Sequence, residues 1–259
     1  MLKQIKTLKK ISFVTAFLIS SNMWSQEIIK DQTSGGFHRL RLGFSISPDF
    51  CFRKLETVVY RDNPTMPVLN RIEIPRAGYT AGINTEYSFN EIIGLQLGFY
   101  YSDKGYQTQM EDMHFGAIDP RRDFYYSPDG KVPVRGKFVY HYHYLDIPVK
   151  VNFILGKKKV RFIASTGAAA NLFLKETTTS VVEYEDGSKK RYRRGSSFNY
   201  NKLNISPQVS AGIDWKIGDK SSLRIEPTFR YGILQIIDAP VTEYLWNAGL
   251  NIGYYFGVR

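Results

Sequence analysis

Residues Thr242–Phe256 read TEYLWNAGLNIGYYF. One parity carries Thr242, Tyr244, Trp246, Ala248, Leu250, Ile252, Tyr254 and Phe256; the other carries Glu243, Leu245, Asn247, Gly249, Asn251, Gly253 and Tyr255. Neighbouring side chains of a strand point to opposite faces, so this period-two alternation predicts a strand with one apolar and one polar side. It holds for 15 residues, whereas strands of globular proteins run about 5–6.

The same pattern recurs seven times upstream. The predicted strands are His38–Arg53, Gly78–Phe89, Ile92–Gln107, Lys137–Leu155, Val160–Thr177, Asn199–Ile217 and Ser222–Ile236. No amphipathic helix of useful length separates them, and eight long strands suit a closed, all-β, antiparallel up-and-down barrel. The links alternate in length. Asn90–Glu91, Gly156–Lys159 and Gly218–Ser221 are short, while Lys54–Ala77, Thr108–Gly136 and Thr178–Phe198 are long. Asp238–Val241 is brief and falls on the long-loop side. Short turns on one side and long loops on the other are the mark of outer-membrane barrels, whose short turns face the periplasm.

Alternation does not say which face points inward. A soluble barrel buries its apolar face and a membrane barrel shows it to lipid. Glycine decides: Gly43, Gly82, Gly94, Gly98, Gly167, Gly212, Gly232, Gly249 and Gly253 all lie on the polar parity. Glycine is tolerated where backbone is approached closely, as inside a narrow barrel, so the polar face is expected to line the lumen. Tyr79, Tyr87, Phe89, Trp215, Tyr231, Tyr244, Trp246, Tyr254 and Phe256 sit towards the ends of the apolar stripes, where interfacial girdles belong.

Composition fits once the N-terminus is separated. The chain has 259 residues, 43% hydrophobic and 15% aromatic, a formal charge of +11 and a single cysteine. Cys51 alone excludes an internal disulfide framework and a cysteine zinc site. The longest uncharged run, Ile11–Gln26, has 16 residues, short of the roughly 18 a spanning helix needs. Lys3, Lys6, Lys9 and Lys10 precede the apolar core ISFVTAFLIS and the polar SNMWSQE, the order of a secretory signal peptide. The expected organisation is a signal over residues 1–25, a short periplasmic segment over 26–37 and a barrel over 38–259. Removing the signal lowers the charge to +7. The mean hydropathy of −0.29 is no argument against a membrane, because a barrel spends only alternate residues on lipid.

Charges fall on the inward parity: Arg39, Arg41, Asp49, Glu86, Asp146, Lys150, Arg161, Asp214, Lys216, Arg224, Glu226 and Arg230. An eight-stranded barrel is just wide enough for side chains to fill, and buried charges must pair. Arg224, Glu226 and Arg230 therefore predict a ladder with Glu86, Asp146 or Asp214. The set reads as a polar plug, the alternative being a narrow ion path. His141 and His143 share a strand face, but two ligands fall short of a metal site and interfacial histidines are the simpler reading. The basic run Lys189–Arg194 lies in a long loop beside Glu183, Glu185 and Asp186, so it reads first as a solvated hairpin tip, and as a binding segment it suits lipopolysaccharide or another anionic polymer better than nucleic acid. Phe124, Tyr125 and Tyr126 lie in a charged loop that either binds or packs over the mouth. No catalytic fingerprint is present, and the spacing of Asp103, Asp112, His114 and Asp123 at the rim asks for no chemistry, so neither enzyme activity nor a cofactor is expected.

The stretches YSDKGY (Tyr101–Tyr106), YLDIPVKVNF (Tyr144–Phe153), EPTFRYG (Glu226–Gly232) and GLNIGYYF (Gly249–Phe256) resemble the PorT-like outer-membrane β-barrel proteins of Bacteroidetes. The resemblance implies an eight-stranded barrel inserted by the outer-membrane assembly machinery, which reads an aromatic-ended last strand; here Gly257, Val258 and Arg259 follow Phe256. It supplies no catalytic residues. The expectation is an integral outer-membrane protein with a structural or interaction role through its loops and envelope partners. The alternatives are a narrow channel and an accessory of type IX-like secretion or envelope assembly.

Overall fold

The computed structural model describes residues 39–57, 71–113, 131–195, 198–238 and 241–258. The expected signal and periplasmic segments lie outside them, as do His38, His114, Asp123, Phe124, Tyr125 and Tyr126. The strands are β1 (Leu40–Thr57), β2 (Glu73–Ser88), β3 (Ile93–Thr108), β4 (Glu111–Asp112), β5 (Pro133–Leu155), β6 (Val160–Tyr184), β7 (Lys189–Arg194), β8 (Leu203–Lys216), β9 (Ser221–Tyr231) and β10 (Val241–Gly257). All pairings are antiparallel. Eight strands form the ring β5-β3-β2-β1-β10-β9-β8-β6, which the β5–β6 pairing closes. Closure leaves the ring without an edge, so its backbone donors and acceptors are satisfied internally as a bilayer requires.

The wall has the polarity of a membrane barrel. Leu42, Phe44 and Ile83 are 52%, 56% and 62% exposed, while Ser45, Glu86 and Arg224 are fully buried. Tyr255 occupies the lumen because its neighbours lack side chains: a Cβ on Gly43 would come within 2.8 Å of the Tyr255 ring, and so would one on Gly253. Outward aromatics cluster near both ends of the apolar band. Tyr79, Tyr101, Phe229 and Trp246 mark the loop end, and Tyr87, Phe89, Trp215, Tyr254 and Phe256 the turn end. From Tyr79 to Tyr87 on β2 the chain climbs about 27 Å along the strand, close to 20 Å vertically at the usual tilt.

The turn-end boundaries follow the alternation closely, and the loop-end boundaries do not. β1 continues to Thr57, β2 starts at Glu73 and β5 at Pro133, each beyond its expected limit. Residues Thr178–Phe198, expected as a loop, instead extend β6 to Tyr184 and return as β7, with Thr179 opposite Arg193 and Glu183 opposite Lys189. Above the level Tyr101–Leu145–Leu172, β5 and β6 rise a further dozen residues each. That sheet, edged by β4 and β7, buries Val182 and Tyr184 against Met113, Phe138 and Tyr192. Two expected strands are shorter at this end: β8 begins at Leu203, not Asn199, and β9 stops at Tyr231, not Ile236. There Asn204 bonds both the backbone oxygen and the backbone nitrogen of Leu234, replacing the ladder, and Tyr200 and Ile236 turn inward over the lumen.

Candidate functional site in the lumen and at the rim

Near the turn end, strands that are far apart in sequence bring five charges together. The guanidinium of Arg224 donates through Nε to Asp214 at 2.9 Å and through Nη2 to Glu86 at 3.0 Å, while its Nη1 also donates to Glu86. Arg41 donates to Glu86 and Arg161 to Asp214. Asn152 donates to Glu86 at 2.6 Å, and the Arg224 guanidinium lies 4.1 Å from the centre of the Tyr255 ring. Arg224, Glu86 and Asp214 are completely buried. This is the costliest class of ion pair to break, because a lone partner would be stranded in a medium of low dielectric. Ile154 and Ile163 close the lumen wall beside it.

Half-way up, Asp49 accepts from Ser47 and Thr80 at 2.6 Å, Asn247 at 2.9 Å and Arg230 at 3.2 Å. Glu226 accepts from Ser210 at 2.9 Å and Ser165 at 3.1 Å. Lys104 pairs with Asp146 at 3.0 Å, and Asn171 donates to the same carboxylate at 2.6 Å. A cavity of about 10 Å³ between Lys104, Tyr144, Asn171 and Asn247 has room for one water at most.

Of the residues read from alternation, Arg41, Asp49, Glu86, Asp146, Arg161, Asp214, Arg224, Glu226 and Arg230 meet in these clusters. Lys150 is buried near Glu226 but forms no described ion pair. Arg39 and Lys216 are corrections: both are exposed, Arg39 just before β1 and Lys216 as the last residue of β8. The wall ends at those positions, so water solvates their charges.

The upper lumen escaped the sequence reading. Tyr106, Tyr142, Tyr144, Tyr200, Ile236 and Leu245 form a buried cluster with Phe173 and Tyr140 packed against it. Ring centroids lie 4.6 Å apart for Tyr106–Tyr140, 5.6 Å for Tyr142–Tyr200 and 5.2 Å for Phe173–Tyr200. Arg53 lies over Tyr106 at 3.8 Å and pairs with Glu73 and, at 2.5 Å, with Glu243. A visible signal existed: in YHYHYLDIPVKVNF the bulky parity switches from even to odd between Tyr144 and Leu145.

At the rim the β2–β3 register shifts between Pro75 and Tyr79. Arg76 occupies the gap, donating to the backbone oxygens of Lys104 at 3.0 Å and Tyr140 at 3.3 Å and to Asp103 at 2.9 and 2.8 Å. His141 Nδ1 lies 3.0 Å from the same carboxylate. Asp103 is thus held by a guanidinium, and Asp112 lies 3.6 Å from Arg135.

The sequence matches a protein family described as an outer membrane protein beta-barrel domain over residues 24–238. No curated protein matches it in sequence. Similar solved structures include Ail, the attachment invasion locus protein of Yersinia pestis, at 15% identity, covering 84% of this chain and 99% of that one with a TM-score of 0.33. OprG from Pseudomonas aeruginosa is 9% identical, with coverages of 86% and 99% and a TM-score of 0.44. The outer membrane protease OmpT from Escherichia coli is 8% identical, with coverages of 87% and 99% and a TM-score of 0.40. With the family match spanning most of the chain, and a closed eight-stranded wall that is apolar outside and ion-paired within, the protein belongs to the outer-membrane β-barrel domain family and is an integral outer-membrane protein.

Proposed function

We propose that this barrel neither conducts nor catalyses, and that it is a plugged scaffold acting through the sheet it raises on the cell surface. One observation carries the reading: Arg224, reaching from β9, is tied to Glu86 on β2 and Asp214 on β8, so a fully buried ion-paired side chain lies across the lumen. An ion following the axis would have to separate those groups, and the upper lumen is filled a second time by the tyrosine cluster. The rim carboxylate Asp103, engaged by Arg76 and His141, is not poised as a free acid or base.

In this reading the short turns face the periplasm, residues 1–25 are a cleaved signal, and the assembly machinery inserts the barrel. The tyrosine-rich and C-terminal motifs support a PorT-like barrel of the Bacteroidetes type. Its partners are outer-leaflet lipid and envelope proteins that contact the β4–β7 sheet. The test is planar-bilayer recording on purified, refolded protein. No steady conductance is expected at moderate voltage, and reproducible unitary channels from the pure protein would overturn the plug.

A further inference from the structure

The outward surface changes character just above the loop-end girdle, between β3 and β7. Tyr79 and Tyr101, 5.9 Å apart, are both exposed and mark the depth at which lipid headgroups begin. One step higher, outside the spanning segments, the Tyr101 hydroxyl lies 2.6 Å from His143 Nδ1, and the His141 ring stacks on His143 at 6.1 Å. With Tyr101 donating to Nδ1, the neutral imidazole carries its proton on Nε2. That Nε2 is buried and has no hydrogen-bond partner among the described residues. Lys175 sits directly opposite His143 across β5–β6. Burial first, and then, against the pull of Asp103, Lys175, the neighbouring His141 and Arg193, hold the His143 imidazole below the usual histidine range.

Carboxylates do not match these cations. Lys175, Arg191 and Arg193 are exposed, and none of them forms a described ion pair. Elsewhere on the raised sheet the balance is local: Lys131 pairs with Asp186 at 2.5 Å, Lys189 with Glu183 at 3.5 Å and Arg135 with Asp112 at 3.6 Å. Asp103, directly opposite His143 across β3–β5, is already taken by Arg76 and His141. Among the described residues a lysine and an imidazole N–H near headgroup depth, and an arginine fork opposite Thr179 above them, have no carboxylate of their own, and a phosphate oxygen satisfies all three kinds of donor.

We propose that His143, Lys175 and Arg193 form a site for the phosphate of an outer-leaflet lipid headgroup, seated above Tyr101. The site fixes the depth and rotation of the barrel at the root of the raised sheet. It rests on the membrane placement and not on the closed lumen, so a conducting barrel would sink the scaffold reading while leaving this one intact.

The test uses the full barrel in phosphatidylcholine nanodiscs doped with either diphosphorylated or dephosphorylated lipid A, with native mass spectrometry of the lipid retained. The native protein is expected to retain the diphosphorylated form at least about tenfold better, since each basic residue at a charged surface contributes severalfold. K175Q/R193Q should erase the preference, and K157Q/K158Q in a short turn should keep it. Heat-modifiable gel mobility reports folding; should the double variant not fold, the exposed single change R193Q is expected to lower retention severalfold. Equal retention of the two lipids by the native protein overturns the site. So does unchanged retention by the variants, or displacement of the lipid by millimolar inorganic phosphate, which would make this a free-anion site.

Discussion

β5 runs through two environments and is built oppositely in each. Below Leu145 its inward residues are Asp146, Lys150 and Asn152 and its outward ones include Val149 and Phe153; above Leu145 the inward residues are Tyr140, Tyr142 and Tyr144, and the outward ones include Lys137 and His141. The parity facing the lumen never changes, but its chemistry inverts at the girdle. Below it the outside is hydrocarbon, so apolar lumen residues would gain nothing by facing inward, and paired charges and hydrogen bonds distinguish inside from outside. Above it the outside is water, and the hydrophobic effect again sends aromatics inward, as in a soluble protein.

That contrast is open to attack, beginning where the stakes are greatest. Arg224→Met removes the cation shared by Glu86 and Asp214 and should cost about 3–5 kcal/mol, measured by urea unfolding in vesicles. Pairing it with Glu86→Leu should recover part of the loss, and simple additivity would show that the two side chains do not act as a network. Tyr142→Ala in the upper lumen should cost less, about 2–3 kcal/mol, because water can enter the space. If it matches or exceeds Arg224→Met, the two halves are not held by different forces.

Gly43→Ala probes how tightly the lower lumen is filled. Its Cβ would approach Asn84 Oδ1 to 2.5 Å and Tyr255 to 2.8 Å, and such overpacking typically costs about 1–3 kcal/mol. A neutral outcome in the same unfolding assay would mean that the lumen has slack. The smallest effect belongs to the tip of the raised sheet, where a hydrogen bond from Lys131, then those from Ser188, hold the Asp186 carboxyl well below its usual range. Because that pKa is depressed on folding, the contribution is present above the ordinary aspartate value near 4 and is lost as pH falls further. Amide exchange at Glu185–Lys189 should therefore quicken only in strong acid, with the barrel melting temperature unmoved. Asp186→Asn should quicken the same amides at neutral pH.

Much of the barrel was legible because period-two alternation is a local property. The eight ring strands, the Gly156–Lys159 turn and the inward parity of Glu86, Asp214 and Arg224 all follow from counting along the chain. The loop-end strand limits were less legible. Lys189–Arg194 reads as a charged loop because a strand in water needs no apolar face, and only its pairing with Thr178–Glu183 makes it β7. Arg53, Glu73, Arg76, Lys104 and Glu243 were missed as lumen and rim charges for a related reason. They lie near or above the loop-end girdle, where aromatics also face inward, so the inward parity no longer reads as the polar one.

Local order along the chain was enough to settle the architecture: which residues face lipid, which face inward, and that charges of both signs must share a narrow interior. Partners were settled by the closing of the ring. Glu86 and Arg224 are 138 residues apart, and no periodicity relates them. Nor does any stretch of sequence place Lys175 opposite His143. Alternation specifies a direction from the strand, whereas contact between two such directions depends on register and closure. Those are set by the whole ring of backbone pairing at once.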